Sequence, residues 1–254
     1  MGNEYLYINS EERDDSIYRI FNVEYFTKLA NLGKNTLVSP KKWGDPFENY
    51  FLNLPILTDS GTAKNRHSEM VFGQCWTLTE ESDALWRIYS PCKTGIKVKT
   101  SIANLFESFK EGFADTTTHK HCYIGKVQYY NPNDLYNLES QFEGSEKFSL
   151  DGSLEAHQLL FKRKAFHYEN EVRLIGYFFQ LHPNNEMIHY AVDPFKLFSE
   201  IVLDPRLSNG EFSHLKEMLV KIGFEEKIIK KSDLYTFNKS ELRVLKHNFI
   251  EKSP

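Results

Sequence analysis

The segment 166–175 joins three charged side chains to an apolar run of the kind that forms a buried strand. In an extended strand alternate residues share a face, so we expect Glu169, Glu171 and Arg173 together, opposite Val172 and Leu174. Two acids and a guanidinium beside a buried run cost free energy unless they are solvated or used. The run therefore predicts a strand whose charged face either is a solvated ion pair or takes part in chemistry.

The composition is that of a folded protein without a basic surface. Of the 254 residues, 41% are hydrophobic and 15% aromatic, which is enough for a sizeable core. The net charge of −4 gives no positive excess for binding nucleic-acid phosphates. No apolar run approaches the roughly 18 residues that cross a bilayer, and the N-terminus lacks a signal-peptide pattern. We therefore expect a soluble, cytoplasmic protein with no membrane partner.

Cysteine and histidine positions predict no metal site. Cys75, Cys92 and Cys122 are too widely spaced for a paired zinc motif, and their number is odd. His119 and His121 would share a strand face, but Cys122 would point away from them, and no carboxylate at a diagnostic spacing completes a site. The chain also lacks the glycine-rich loops of Rossmann and P-loop nucleotide sites. We expect no metal cofactor.

Hydrophobic periodicity mixes helices and strands and shows no repeat, which predicts one α+β domain over residues 1–254. A polar stretch at 131–152 predicts a long loop or insertion, and 206–254 a C-terminal helix and strands. The expected strands are 17–21, 36–38, 71–77, 96–99, 123–130, 166–175, 187–192 and 201–203. The expected helices follow Asn22 as far as Gly33, follow Ser101, and cover 153–164 and 211–222.

Several stretches, taken in order, resemble a bacterial family of unknown function, DUF2971. The resemblance covers roughly residues 17–205, and the family name implies no activity. The matching pieces are Ile17-Tyr18-Arg19-Ile20, the segment from Ser39 to Glu48, Cys75-Trp76-Thr77-Leu78-Thr79-Glu80, Leu85-Trp86-Arg87-Ile88-Tyr89, Gly95-Ile96-Lys97-Val98, and the block from Lys162 to Leu174.

A more remote resemblance is to the ADP-ribosyltransferase fold. Arg19 would match the arginine of that fold's first strand, and Thr77-Leu78-Thr79 would stand where the fold often carries Ser-Thr-Ser. Glu169 and Glu171 would match its two acids, with Glu171 catalytic. The resemblance implies an α+β fold with central split, twisted, mainly antiparallel sheets flanked by helices. It also implies NAD as the substrate.

The chemistry of NAD cleavage asks for these residue types. Breaking the nicotinamide–ribose bond develops oxocarbenium character, which a carboxylate such as Glu171 can stabilise. Glu169 could position or deprotonate the incoming nucleophile. Arg19 could hold the pyrophosphate by paired hydrogen bonds, and Trp86 or Tyr89 could pack on a ring of NAD. The resemblance further implies a bacterial toxin or antiviral-defence effector, with a protein or nucleic-acid acceptor and a possible regulatory or antitoxin protein.

Alternatives remain open at this stage. Arg19 could be structural, the threonines simple β-formers, and Trp86 and Tyr89 core residues. A non-catalytic module that binds a nucleotide or a phage component would use the same aromatic residues without turnover. A metal-dependent nuclease would use acids that gather Mg²⁺ together with a lysine. Its candidate residues are Asp45, Glu48, Lys164, Glu169 and Glu171.

Overall fold

A computed structural model describes residues 4–45, 47–58, 61–63, 65–114, 120–134, 151–179 and 185–236. The strands are β1 (Tyr5–Leu6), β2 (Ser16–Asn22), β3 (Lys34–Val38), β4 (Ile56–Thr58), β5 (Gly61–Ala63), β6 (Val71–Thr77), β7 (Gly95–Ser101), β8 (Lys120–Lys126), β9 (Gln128–Tyr130), β10 (Phe161–Arg163), β11 (Glu171–Phe178), β12 (Met187–Ala191), β13 (Glu200–Leu203) and β14 (Ile229–Lys231). The α-helices are α1 (Val23–Leu32), α2 (Asp83–Tyr89), α3 (Ile102–Glu111), α4 (Ser153–Gln158), α5 (Pro194–Leu197) and α6 (Asn209–Ile222). Among these described helices, none combines the length and the apolar character that a membrane crossing requires.

Capping residues fix the helix that follows the second strand. The Asn22 side chain accepts a hydrogen bond from the Glu24 backbone N–H at 2.8 Å, which satisfies a donor at the start of α1. Gly33 ends the helix in the left-handed conformation, with φ 59°, which a residue without a Cβ adopts at little cost. The sequence prediction for this helix is confirmed. The chain therefore passes from α1 into β3 through a sharp turn at Gly33.

A mainly antiparallel sheet organises the described chain. Its strands follow the order β1-β8-β11-β6-β2-β7-β13-β14, and β12 pairs with β3, which in turn pairs with β6. Only the β1–β8 and β13–β14 pairs are parallel in this sheet. Helices flank it, so the expected α+β class with a split, mainly antiparallel sheet is confirmed.

The sheet splits at β6. One edge of this strand pairs along its whole length with β11, from Glu171 opposite Thr77 to Tyr177 opposite Val71. The other edge pairs with β2 only at Thr77 and with β3 only at Gly73. Between those two positions β2 and β3 diverge, and α1 joins their far ends. An opening is thus built into the middle of the sheet, where the β6 edge has no strand partner.

Apolar residues on the two faces of the sheet form separate clusters. The larger cluster packs α1, α3 and α6 against one face and includes Val172 and Leu174 of β11. The second cluster packs α4 against the other face and includes Ile175 and Tyr177. All eight residues of β11 are buried, since layers cover it on both sides. Glu171 and Arg173, which alternate with the apolar residues, are therefore buried as well.

The approach to β11 differs from the sequence prediction. The expected helix 153–164 stops at Gln158, because Phe161–Arg163 pairs in parallel with β9. Residues Lys164–Glu169 form a 3₁₀ helix, and Asn170 follows in the left-handed conformation with φ 44°. Asn tolerates that conformation better than most residues, and the change of direction starts the strand only at Glu171. Glu169 therefore precedes the strand, and the predicted strand 166–175 was wrong over its first half.

Two other predicted segments reach beyond the described residues. Of the predicted loop 131–152, Pro132–Asp134 form a short 3₁₀ turn and 135–150 lie outside the described part. In the C-terminal segment 206–254, α6 and β14 are present as expected, and residues after 236 lie outside it. His119, considered for a metal site, also lies outside it.

Candidate active site at the branch of the sheet

A small cavity opens where β2, β6 and β11 meet. Its volume is about 140 Å³, and helix α2 covers one side of it. Five residues predicted to form the site line it together, although they are up to 152 positions apart in the sequence. They are Arg19, Thr77, Tyr89, Glu169 and Glu171, and the remaining lining residues are Tyr18, Ile20, Cys75, Trp76 and Leu85. We call this space the inner cavity.

A second, larger cavity lies next to the inner one, beside the opening in the sheet. Its volume is about 720 Å³, and it lies between β2, α1 and β3. Arg19 and Ile20 line both cavities, so the Arg19 side chain stands at their junction. Asn35 and Gln74, whose buried side-chain amides are hydrogen-bonded to each other at 2.8 Å, line this larger space, and the exposed Tyr25 also lines it. We call it the outer cavity.

Arg19 carries a charge that the described residues do not neutralise. Its Nη1 is buried without a hydrogen-bond partner in the described part of the chain, and its guanidinium lies 4.7 Å from the Phe21 ring centroid. Burial lowers the pKa of Arg19. Electrostatic interactions with Cys75, Tyr190 and Tyr89 raise this pKa, but by less than burial lowers it. None of these neighbours is a carboxylate. An arginine in such surroundings favours an anion that enters the cavity.

The two acids are held by Lys162, which begins the last block of the DUF2971 pattern but was not predicted to be a site residue. Lys162 Nζ lies 2.5 Å from Glu169 Oε2, 2.6 Å from Glu171 Oε1 and 2.6 Å from Glu48 Oε1. An ammonium group has three N–H donors, so each donor has its own carboxylate. Together with Arg173, these residues form the carboxylate cage, defined as Glu48, Lys162, Glu169, Glu171 and Arg173.

Arg173, the second cation of the carboxylate cage, is fully buried. Its Nε donates to Glu171 Oε2 at 2.7 Å, its Nη1 to the Leu159 carbonyl at 2.6 Å and its Nη2 to Glu48 Oε1 at 3.1 Å. Its guanidinium also lies 4.5 Å from the Trp43 ring centroid. The alternative of a solvated strand face was therefore wrong, since Glu169, Glu171 and Arg173 are all buried; the ion pair that it included does form, between Glu171 and Arg173.

The surroundings of the two acids in the carboxylate cage drive the pKa values of Glu169 and Glu171 apart. Burial raises the pKa of Glu169 to about 7, and a hydrogen bond to Glu171 adds to this, while Lys162 opposes it. Burial acts on Glu171 in the same direction, but Arg173, the hydrogen bond from Glu169 and Lys162 outweigh it and hold its pKa well below the usual range. Pairs of acids with pKa values driven apart are typical of general acid–base sites.

Thr77 positions the first acid through the backbone. Its hydroxyl donates to the Glu169 carbonyl at 2.6 Å and accepts a hydrogen bond from the Thr79 N–H at 3.0 Å. Thr77 thus lines the inner cavity while fixing the turn that carries Glu169. Thr79 is not among the lining residues, so the structure does not bring it to the site.

The aromatic residues divide in the same way. Trp86 was expected to pack on a ring of NAD. It is instead fully buried, donates its indole N–H to Glu81 and does not line the inner cavity. Tyr89, one helical turn later, does line the inner cavity. Burial, Glu169 and Glu171 all raise the pKa of Tyr89, so its hydroxyl stays protonated beside the acids.

The acids proposed for a nuclease converge on a protein cation. Glu48, Glu169 and Glu171 point at Lys162 Nζ, which holds the position that a metal ion would need. Asp45 pairs instead with Arg163, at 2.8 Å, and Lys164 is exposed. Among the described residues, no group of three or more His, Cys, Asp or Glu side chains is arranged to hold a metal.

Two contacts of the site could not be predicted from the sequence, one made by Lys162 and one by Glu48. Lys162 lies seven residues before Glu169, a spacing that becomes meaningful only because β10 turns back beside β11. Glu48 stood among the nuclease candidates, but its partner Arg173 lies 125 positions away. The Asp45 turn did carry a usable signal, since its side chain accepts from the Phe47 N–H at 3.0 Å, as an aspartate before proline predicts.

Comparison with known proteins gives one family and one kind of structure. No curated protein matches the chain significantly. The chain is similar to Thermus sp. 2.9 DarT in complex with NAD+, at 10% identity and a TM-score of 0.35, over 88% of this chain and 98% of that one. It is similar to the same protein in complex with ADP-ribosylated ssDNA, at 9% identity and a TM-score of 0.37, over 88% and 97%.

The segments of the DUF2971 pattern before Leu85 lie outside the stretch that the family search matches. Within that stretch the resemblance is confirmed: the model described as "Protein of unknown function (DUF2971)" matches residues 85–174.

Proposed function

We propose that this protein cleaves NAD at the nicotinamide–ribose bond, as an ADP-ribosyltransferase or an NAD glycohydrolase. One observation carries the proposal. Arg19, whose charge no described carboxylate neutralises, and the acid pair Glu169 and Glu171 line the same inner cavity. A substrate with a negative centre next to a developing positive centre suits these charges, and NAD has both.

The sizes of the two cavities fit the parts of NAD. A cavity of about 150 Å³ holds a benzene-sized ring, so the inner cavity of about 140 Å³ suits nicotinamide. The outer cavity of about 720 Å³ falls within the roughly 300–1,000 Å³ of ligand pockets and suits the adenosine half. In this arrangement the pyrophosphate lies at the junction, beside Arg19.

Arg19 then performs the anchoring step. Its fork of N–H groups can donate two parallel hydrogen bonds to phosphate oxygens, and the ligand charge compensates a guanidinium that lacks a carboxylate partner. Because β2 and α1 fix the position of Arg19, the dinucleotide would be held with its nicotinamide end toward the acids.

The acids then act on the ribose. Glu171 stays ionised, since Arg173 and Lys162 hold its pKa low, and a fixed negative charge beside the ribose stabilises the oxocarbenium character of the transition state. Nicotinamide leaves with the electron pair of the broken C–N bond. The nucleophile's oxygen or nitrogen bonds to the ribose carbon and gives up its proton to Glu169, which accepts it in the ionised form.

The acceptor distinguishes the two forms of the activity. Water gives NAD hydrolysis, whereas a hydroxyl or amine of a protein, a nucleic acid or a small molecule gives transfer. Three expectations stay predictions that rest on the resemblance to the ADP-ribosyltransferase fold. They are the acceptor, the role as a toxin or antiviral-defence effector, and control by an antitoxin protein.

The test is release of nicotinamide from NAD by the purified chain, followed by chromatography. We expect Glu171→Gln to lower the rate by about 100-fold or more, as removal of a transition-state electrostatic partner does. Glu12→Gln is the matched control, because Glu12 pairs with Lys126 away from both cavities. Equal rates for Glu171→Gln and wild type would remove Glu171 from the mechanism.

Two further outcomes separate the other hypotheses. NAD binding by calorimetry without nicotinamide release from the wild type would favour the binding module. Mg²⁺-dependent cutting of nucleic acid, lost in Glu169→Gln and Glu171→Gln, would favour the nuclease.

A further inference from the structure

The carboxylate cage contains one more negative group than positive ones. Glu48, Glu169 and Glu171 supply three carboxylates, whereas Lys162 and Arg173 supply two cations. Each of the five residues is buried, at 6% exposure or less. An uncompensated charge in such a place is costly, and an acid relieves it by holding a proton.

The contacts show which acid holds the proton. Glu171 is bonded to both cations, through Oε1 to Lys162 and through Oε2 to Arg173. Glu48 Oε1 also touches both, at 2.6 Å from Lys162 and 3.1 Å from Arg173. Among the described residues, Lys162 is the one cation that pairs with Glu169. The acid with a single cationic partner is the least stabilised as an anion.

We propose that Glu48 is a positioning residue that takes a share of both cations of the carboxylate cage, so that one proton stays on Glu169 and makes it the acid–base group of the inner cavity. This inference rests on the proposed function for its catalytic meaning, but the protonation itself does not require turnover. Glu48 does not line the inner cavity, so it acts only through Lys162 and Arg173.

The other groups facing Glu169 leave this balance unchanged. Tyr89 of α2, Tyr129 of β9 and the adjacent Tyr168 each interact electrostatically with Glu169. Burial is the largest cause that raises the pKa of all three, so they are neutral near pH 7. Arg19 lines the same cavity, but the charges that act most on Glu169 are those of Glu171 and Lys162.

Lys162 is suited to hold three carboxylates at one point, which an arginine could not do. Three carboxylates surround one nitrogen at 2.5–2.6 Å, which matches the three donors of an ammonium group. A planar guanidinium distributes its donors over a wider fork and cannot meet all three acids at one point. Substitution of Lys162 itself would leave three buried acids with one cation and could unfold the chain. Glu48→Gln is therefore the better test.

The experiment measures the titration of glutamate carboxyl groups by NMR, with ¹³C at the side-chain carboxyl carbon, in wild type, Glu169→Gln, Glu48→Gln and Asp45→Asn. We expect one carboxyl to titrate near pH 7 in the wild type and to be missing in Glu169→Gln. Glu48→Gln should weaken its proton affinity by about tenfold, because a like charge nearby raises an acid's pKa by about one unit or more.

Asp45→Asn is the matched control. It alters the partly buried ion pair that Asp45, three residues before Glu48, forms with Arg163, without changing the charge of the cage. We expect it to leave the titration midpoint unchanged. If NAD is cleaved, the acidic limb of the pH–rate profile should move to lower pH in Glu48→Gln and not in Asp45→Asn.

The outcomes separate this inference from the proposed function. An unshifted carboxyl in Glu48→Gln, or a titration near pH 7 that survives in Glu169→Gln, would overturn the assignment even if NAD is cleaved. The expected titrations in a protein that does not release nicotinamide would support the proton assignment and count against the proposed function.

Discussion

Two arginines on opposite sides of β6 are treated in opposite ways by the fold. Arg173 on β11 is fully buried, and its Nε, Nη1 and Nη2 each have an acceptor at 3.1 Å or less. Arg19 on β2 has a buried Nη1 without a partner. Burial is the largest influence on both, yet the pKa of Arg173 is raised by Glu171, Cys75 and Glu48, whereas that of Arg19 is lowered. One charge holds the scaffold together, and the other is left for a ligand.

The difference shows how the site divides its work. The carboxylate cage is complete before any ligand arrives, so its acids are held in place for the reaction. The Arg19 side keeps unsatisfied hydrogen-bonding capacity, which a bound anion would complete. Substitutions on the two sides should therefore affect different measurements.

The largest effect is expected at Arg173. Arg173→Met keeps much of the side-chain volume but leaves Glu48 and Glu171 with Lys162 as their only cation. Breaking a buried pair in this way lowers the free energy of unfolding by about 3–5 kcal/mol. Urea denaturation measures the change, and a loss below about 1 kcal/mol would mean that the cage does not hold the scaffold.

At Arg19 we expect the reverse pattern. Arg19→Gln should raise the KM for NAD by about tenfold or more, which corresponds to about 1.4 kcal/mol of binding. It should leave the free energy of unfolding unchanged or slightly higher, because it removes a charge without a described partner. Arg19→Lys keeps the charge but not the fork and should recover only part of the affinity.

Steady-state kinetics and urea denaturation of the same Arg19 preparations test the comparison. A destabilisation equal to that of Arg173→Met, with NAD affinity unchanged, would show that Arg19 is a scaffold residue after all.

The acid pair predicts a pH dependence of stability. The pKa of Glu169 is raised from 4.5 to about 7, so between these values the folded chain binds more protons than the unfolded chain. This contribution to stability is complete below the unfolded value and is lost as the pH rises through about 7. Glu171, with its lowered pKa, contributes above its unfolded value and loses that contribution only in more acidic solution.

Denaturation at a series of pH values measures this slope. We expect Glu169→Gln to flatten it between pH 4.5 and 7, because a glutamine does not titrate. Glu12→Gln should retain it. A slope that is the same in Glu169→Gln and wild type would locate the titrating group elsewhere.

The smallest effect is expected at Thr77. Thr77→Val removes the hydroxyl that donates to the Glu169 carbonyl and should destabilise by about 1 kcal/mol, the usual net value of one hydrogen bond. Thr77→Ser keeps the hydroxyl and serves as the control. We expect a modest decrease in kcat with little change in KM, and equal kinetics in both variants would assign Thr77 no part in placing Glu169.

Local patterns predicted most of the scaffold, since local chemistry determines them. The helix between Asn22 and Gly33 and the strand 71–77 form where capping residues and apolar runs indicate. The strand 166–175 failed at its start, because a left-handed Asn170 and the pairing of β10 with β9 override the local preference. Tertiary contacts decide such boundaries.

The candidate site was predictable only where residue type and order sufficed. Arg19, Glu169 and Glu171 meet in one cavity, as their order in the resemblance implied. Trp86 is one helical turn from Tyr89, yet it is buried away from the cavity, a difference that depends on the rotation of α2. The role of Lys162 follows only from the folded structure, in which Glu169, Glu171 and the distant Glu48 meet at its Nζ.

The shared partners of the carboxylate cage also constrain how the chain can diverge. Its members come from three separate segments, around Glu48, Lys162 and 169–173, and each acid depends on a cation that another acid also uses. Losing a cation alone leaves two buried carboxylates without a counter-charge, whereas paired loss of a cation and an acid limits the imbalance. Evolutionary drift at these positions should therefore proceed by coordinated replacement, so that residues far apart in the sequence change as one unit.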